Sequence, residues 1–308
     1  MLNWNGWEET VRSLDSLFQS DYLNFDVVLL DNASSDESLS KLTSWLTGKG
    51  GITLLTNQEN EGFTGGMNRA IAHALAANSP DFIFLLNNDT IVDKACLGNC
   101  VSVAQREGAT VVGALIKSID DSRTLFTGAS PEREFFFGTQ PKDERALPEV
   151  WETGRVEGSG ALISATYLRE HLARHDYIFD PRLFLYGDDV DFGLAVRKAG
   201  KKIFMSKSAV VFHELGLSMG GVSNPRQYYY ITRNRILLAN RWLTTFKKIS
   251  FHCYFFPSRV IRVLQRILQG KFVAASAIVD ALIDGYSGRF GKWKKHDRFG
   301  KQSPASHE

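Results

Sequence analysis

Apolar residues in the first 120 positions fall in short unbroken runs, separated by stretches where they recur every three or four residues. The runs are 26–31 (DVVLLD), 52–56 (ITLLT), 82–86 (FIFLL) and 111–116 (VVGALI). Continuous apolar runs of this length read as strands covered on both faces, the pattern of a parallel sheet. Between them, 8–20, 37–46, 66–77 and 94–107 carry helical spacing. The alternation predicts an α/β fold with a doubly wound, mostly parallel central sheet and helices on both faces.

Ligands of such sheets sit beyond the carboxyl ends of the strands. Three polar clusters follow the runs there: 31–36 (DNASSD), 57–66, and Asn87-Asn88-Asp89. The second half is less regular. Residues 118–156 are polar with scattered aromatics and prolines, predicting a loop or short hairpin. Residues 157–164 (EGSGALIS) read as a strand with a close glycine approach. Residues 188–199 read as a helix stopped by Gly200, 203–212 as a strand ending at His213, and 227–242 as helix.

Composition adds exclusions. The 308 residues are 44% hydrophobic and 23% charged, which rules out collagen-like and disordered classes. Three cysteines (Cys96, Cys100, Cys253) make no disulfide framework, and the 96/100 pair reads as buried thiols rather than a zinc site. No long apolar window predicts a membrane span, and the opening lacks a signal-peptide pattern, so a cytoplasmic setting is the expectation. Charge is uneven. Residues 1–240 carry 23 Lys and Arg against 30 Asp and Glu, and residues 241–308 carry 13 against 4. A basic tail on a mildly acidic body suggests an anionic partner.

Several residues could carry chemistry, and each has a plainer alternative. Asp31 ends an apolar strand, where a carboxylate can accept from a nucleobase N–H or a ribose hydroxyl. The neighbouring Ser35 and Asp36 also suit a helix-capping turn. The stretch 60–68 (NEGFTGGMN) offers glycines for close backbone approach and a helix start for a diphosphate, or simply a tight helix entry. Asp89 between amides suits a hard divalent cation that also takes phosphate oxygens, and equally a turn. Asp188, Asp189 and Asp191 crowd one helix start. One or two cap it, and crowding favours one as a general base. His213 at a strand end reads as structural unless acids surround it.

The motifs DNASSD (31–36), NEGFTGGMNRA (60–70), FLLNNDT (84–90), FLYGDDVDF (184–192), VVFHELG (210–216) and YYYITRNRILL (228–238) occur in order. Together they resemble the family 2 inverting glycosyltransferases of GT-A fold. Within that family they are most similar to the rhamnosyltransferase-type branch that builds bacterial surface polysaccharides, whose tail resembles 281–292. The resemblance implies that Asp31 and Asn32 meet the pyrimidine nucleotide of a dTDP- or UDP-sugar, with Asn60, Gly62, Asn68 and Asn88 along the nucleotide and donor sugar. It implies Asp89 and His213 for Mg²⁺ or Mn²⁺, Asp189 as catalytic base, and Gly160, Ala161 and Asp188 near donor and acceptor. It further implies a catalytic domain over 1–240, halved near 116, and a basic helical extension over 241–308.

Two departures stand out. The metal motif has one acid, not two. Only Met1 and Leu2 precede Asn3-Trp4-Asn5-Gly6 where the family opens with a full strand, so a misassigned start or a truncated copy is expected. In the tail, 258–268 (SRVIRVLQRIL) separates apolar from arginine positions at helical spacing. This suggests an interfacial helix or an ordinary packed one. With Lys292, Lys294, Lys295, Arg298 and Lys301 it suits an anionic membrane surface and a polyprenyl-linked glycan acceptor. A non-catalytic nucleotide-sugar-binding or membrane-assembly protein is the alternative. Nucleic-acid binding is disfavoured because the tail aromatics do not interleave with the basic residues. A dehydrogenase lacks its glycine fingerprint here.

Overall fold

Leu2 and Asn3 form the first strand, β1, in the computed structural model, which describes residues 1–77, 79–129, 143–213 and 224–295. β1 pairs parallel with β2 (Val27–Asp31), and β2 with β3 (Ile52–Thr56). The register sets Asn3 beside Asp31 and Asp31 beside Thr56, so three strand ends form one rim. Helices α1 (Trp7–Leu17), α2 (Ser38–Leu46) and α3 (Gly62–Ala77) connect or follow these strands. The expected α/β alternation is present.

β1 is short but fully laddered. The Met1 amine donates to the Val28 carbonyl at 2.9 Å, and the Leu30 and Asn32 amides donate to Met1 and Asn3. On its other side, Leu2 makes one isolated parallel bridge to Asn87, just past β4 (Phe82–Leu85). The strands fall into two sheets, three-stranded and seven-stranded, with this one bridge between them. Gly66 on α3 lets Leu2 tuck under the helix, since a Cβ there would lie 2.5 Å from the leucine.

The second sheet runs β4, β9 (Ala161–Ser164), β6 (Val111–Ser118), β10 (Ile203–His213), β5 (Thr90–Val92). β7 (Thr124–Phe126) lies on β6 and β8 (Val150–Glu152) on β10. β6 and β10 are parallel, and the remaining pairs are antiparallel. Antiparallel pairing joins the neighbours β6 and β7 and also strands far apart in the chain, such as β4 with β9 and β5 with β10. Helices α4 (Cys96–Glu107), α5 (Ala165–His175) and α6 (Asp188–Lys198) complete the layers. Leu14, Leu29, Leu42, Val112, Leu168 and Val196 are fully excluded from water. Each contributes about 1.5–3 kcal/mol of burial. Cys96 and Cys100 are buried free thiols, as the spacing suggested. The Cys96 thiol is pushed up by its bond to Cys100 and by burial.

Met1–Phe179 with Asp189–Leu215 form one compact unit, and Asp180–Asp188 with Gly216–Glu308 a second. The second unit holds α7 (Pro225–Trp242), α8 (Thr245–Leu268) and α9 (Phe272–Tyr286). α7, read from the sequence as part of 1–240, thus belongs with the C-terminal helices. Asn224 caps it, accepting from Arg226 N–H at 2.9 Å ahead of a first-turn proline. Gly285 of α9 packs against Ile236 of α7, and Trp293 stacks on Tyr229 at 4.4 Å.

Candidate active site

The rim beyond β1 and β2 is tightly bonded. Asp31 is buried, and its carboxylate accepts from Asn3 Nδ2 at 2.7 Å, Ser34 N–H at 3.0 Å and Ser34 Oγ at 2.5 Å. The turn therefore claims most of its acceptor capacity, and a base N–H reaching it competes with Ser34. Asp36 accepts from Ser38 N–H, the capping arrangement read from the sequence. A chain of bonds continues from Asn3 Oδ1 to Thr10 Oγ1 (2.8 Å) and from Thr10 to Asn88 Nδ2 (3.1 Å). Asp31 and the residue before Asp89 are thereby joined.

Asn32 fixes the glycine-rich loop. Its amide donates to Gly62 O and Asn60 Oδ1, and its oxygen accepts from Asn57 Nδ2 and Glu61 N–H. Asn60 Oδ1 accepts from Gly62 N–H at 2.8 Å, so α3 begins at Gly62, four residues ahead of the expected start. Gly62 has φ +71°, a conformation that favours glycine. Asn68 is used differently from the expectation. Its Oδ1 accepts from the Ile178 and Phe179 amides, and its Nδ2 donates to Phe179 O. It clamps the backbone of 178–179 to α3.

Asp89 and His213 meet. The antiparallel register of β5 and β10 sets His213 opposite Thr90, and His213 Nε2 lies 3.2 Å from Asp89 Oδ1. Both side chains are largely buried. Residues 214–216 of the histidine motif lie outside the described residues, as do Arg298 and Lys301. Among the described residues, no three His, Cys, Asp or Glu side chains form a cage for a metal.

Asp189, the second residue of α6, is ion-paired to Arg155, a guanidinium only 3% exposed. Gly193, one turn further along α6, makes the approach possible. A Cβ there would lie 2.8 Å from Arg155 Cβ and 2.9 Å from the Gly154 carbonyl. Arg155 also lies over the Phe126 ring at 5.4 Å. Neither Arg155 nor Gly193 is apparent from local sequence, because their value lies in a contact between distant segments.

Glu157 is a further residue that sequence reading passed over. It lies within electrostatic reach of Asp189, Arg155 and His213. Burial, with the Asp189 charge, pushes its carboxyl up to about 7. Its one sequence signal is an acid directly before Gly-Ser-Gly at a strand entry.

Gly160 and Ala161 turn out to be core positions. A Cβ on Gly160 would press on Val211 and Ala114, and Ala161 is buried in β9 opposite Leu85 and Gly113. Asp188 opens α6, partly exposed. In the second unit, Arg233 and Asn234 shape the segment before it. Arg233 donates to the Arg182, Leu183 and Gly291 carbonyls, and Asn234 Nδ2 to those of Leu183, Leu185 and Tyr186. Phe184 and Tyr186 sit at φ +63° and +66° there, strained conformations that this bonding holds. A separate polar hollow of about 590 Å³, lined by Arg123, Glu144, Arg145 and Lys207 among others, contains none of these residues.

The family model for glycosyl transferase family 2 matches residues 1–172, more than half of the chain. The chain belongs to glycosyl transferase family 2. Among curated proteins, none matches it by sequence. Solved structures share its fold at low identity. GalNAc-T7 with UDP, GalNAc and Mn²⁺ superposes with a TM-score of 0.63 at 16% identity, covering 80% of this chain and 48% of that one. S. aureus TarS gives 0.59 at 15%, covering 97% and 49%. The mannosyltransferase PcManGT from Pyrobaculum calidifontis, with GDP-Man and Mn²⁺, gives 0.59 at 13%, covering 94% and 86%. The chain thus spans about half the length of the first two. These likenesses bear out the GT-A fold.

Proposed function

We propose that this chain transfers a sugar from a nucleoside-diphosphate sugar to a hydroxyl of a glycan or lipid-linked glycan, inverting the anomeric carbon, with Asp189 as base. One observation carries the reading: the Asp189 carboxylate at the start of α6 is held in one orientation by the buried Arg155 guanidinium.

Arg155 holds Oδ2 of Asp189, which leaves Oδ1 to take the proton of the acceptor hydroxyl. Fixing one oxygen restricts the carboxylate to one orientation, so less entropy is lost when the acceptor docks. The hydroxyl then displaces the diphosphate in one step, the inverting logic in which a base acts without a covalent nucleophile. The loop held by Asn32 and Asn60 offers the start of α3 to the donor phosphates. Asp89 and His213 are one hard oxygen and one imidazole nitrogen. They fit a divalent cation that completes its shell with phosphate oxygens and water, as the lack of a third protein ligand among the described residues requires. Bound there, Mg²⁺ or Mn²⁺ supplies charge neutralisation for the departing diphosphate.

The UDP, GalNAc and Mn²⁺ of the GalNAc-T7 structure and the GDP-Man and Mn²⁺ of the PcManGT structure support a nucleotide-sugar donor. The resemblance of the ordered motifs from Asp31 to Leu238 to the rhamnosyltransferase-type branch supports rhamnose on dTDP as the transferred sugar, with UDP-sugars the alternative, and surface polysaccharide synthesis as the setting. A thermal-shift and donor-consumption screen over dTDP-rhamnose, UDP-GlcNAc, UDP-glucose and GDP-mannose, with and without Mn²⁺, tests this. Stabilisation and consumption by one donor in the presence of Mn²⁺ is expected. Failure of every donor to stabilise or react overturns the reading.

A further inference from the structure

α8 is amphipathic with its sides reversed. A surface helix of a soluble unit normally turns its apolar stripe inward and its charges to water. Within the second unit, the one buried side chain of α8 is Phe255. Phe246, Tyr254 and Leu268 are 80, 77 and 87% exposed, and Ile249, Ile261 and Leu264 are each more than half exposed. At 100° per residue these positions, with Phe256, Val260 and Ile267, cover one continuous side of the helix. Two arginines point the other way. Arg259 lies over Phe255 at 5.1 Å and Arg266 over Tyr228 at 5.1 Å. Exposed Phe272 and Val273 carry the apolar surface into the first turn of α9.

Charge decides what covers this face. α8 carries five Lys and Arg and no Asp or Glu. Residues 243–295 carry ten basic residues against Asp280 and Asp284, which are ion-paired to Lys295 and Arg289. A second copy would bring one strongly basic surface onto another. An anionic lipid leaflet offers both an apolar interior and the opposite charge. No helix among the described residues is long and apolar enough to cross a membrane. At 24 residues α8 is about 36 Å long, suited to lying in the plane of a leaflet.

We propose that the outward face of α8, with the first turn of α9, beds into an anionic lipid surface. This does not depend on the donor or on catalysis, so a vesicle experiment without substrate tests it alone. The full chain is floated with POPC vesicles and with POPC containing about a third POPG. Capture by the POPG vesicles is expected, with POPC alone capturing about tenfold less and added salt releasing protein. Ile261→Glu with Leu264→Glu, both exposed, lowers capture about tenfold. Circular dichroism and size exclusion confirm that the variant remains folded, and Arg262→Glu supplies a second, charge-only variant that weakens capture less. The proposal is overturned if POPG vesicles fail to capture the parent, or if they capture the double variant equally. It is also overturned if light scattering shows a stable dimer that the double variant splits, since the face then belongs to a second copy.

Discussion

Arg155 and Asp189 form a nearly buried ion pair between the β8–β9 connection and the first turn of α6. A buried guanidinium without its partner is costly, so the pair serves folding whatever its part in the proposed chemistry. Asp189→Asn keeps the shape and removes the basicity. Transfer turnover should fall about 10²–10⁴-fold, while donor affinity stays within a few fold. A variant that retains most turnover shows the base to be elsewhere.

Arg155→Lys is not conservative at this site, because a single ammonium cannot hold the carboxylate as a planar guanidinium does. A loss of about 10-fold or more in kcat with KM little changed is expected, together with a lower unfolding midpoint. Equal losses in kcat and folding across Lys and Met variants would indicate a structural role only.

Gly193→Ala tests the approach of α6 to Arg155. The added methyl meets the Gly154 carbonyl at 2.9 Å, and backbone there cannot swing aside as a side chain can. A destabilisation of about 1–3 kcal/mol, with a Tm lower by several degrees, should appear in a thermal melt. Gly108, with open space at its Cβ position but φ +59°, is a useful control for backbone strain alone.

The raised Glu157 carboxyl predicts pH-dependent folding. Its ordinary value is 4.5, and the folded state raises it to about 7, so the folded chain binds this proton more tightly than the unfolded chain. Stability therefore falls as pH rises from about 4.5 through 7. The penalty is complete above that window, at up to about 3 kcal/mol, and absent below it. Glu157→Gln removes this slope and should be more stable than the parent at pH 8 in EDTA. Urea denaturation at pH 5, 6.5 and 8 measures it, and parallel parent and variant profiles would exclude the assignment.

Asn234→Ala leaves the Leu183, Leu185 and Tyr186 carbonyls without their shared donor. A loss of about 2 kcal/mol or more is expected in chemical denaturation. Phe184 and Tyr186 should relax from positive φ, giving new protease sensitivity in 182–187.

Strands and helices of the first half were legible because each is a local pattern. The run 52–56 is β3 residue for residue, and α2 and α4 differ from their expected ranges by one or two residues at the start. α5 was not read, since only Tyr167, Leu168 and Ala165 mark a buried face with His171 among polar neighbours. Asp89, His213 and Asp189 were legible as candidates because each lies at a strand end or a helix start, which is a local pattern. Roles that depend on distant contacts were not. Asn68 binds backbone more than a hundred positions away, and Gly160 faces the core because β6 and β10 close over it. The outward side of α8 could not be told from its sequence, since helical spacing shows that two faces differ but not which one meets the protein.

The two-residue β1 concentrates several connections in Asn3. Its backbone sits in the ladder beside Asp31, its Nδ2 supports that carboxylate, and its Oδ1 takes the Thr10 hydroxyl that reaches Asn88. Asn3 thus acts as a splice: loss of this one amide would remove the support of the Asp31 carboxylate and the anchor of the Thr10–Asn88 bond together.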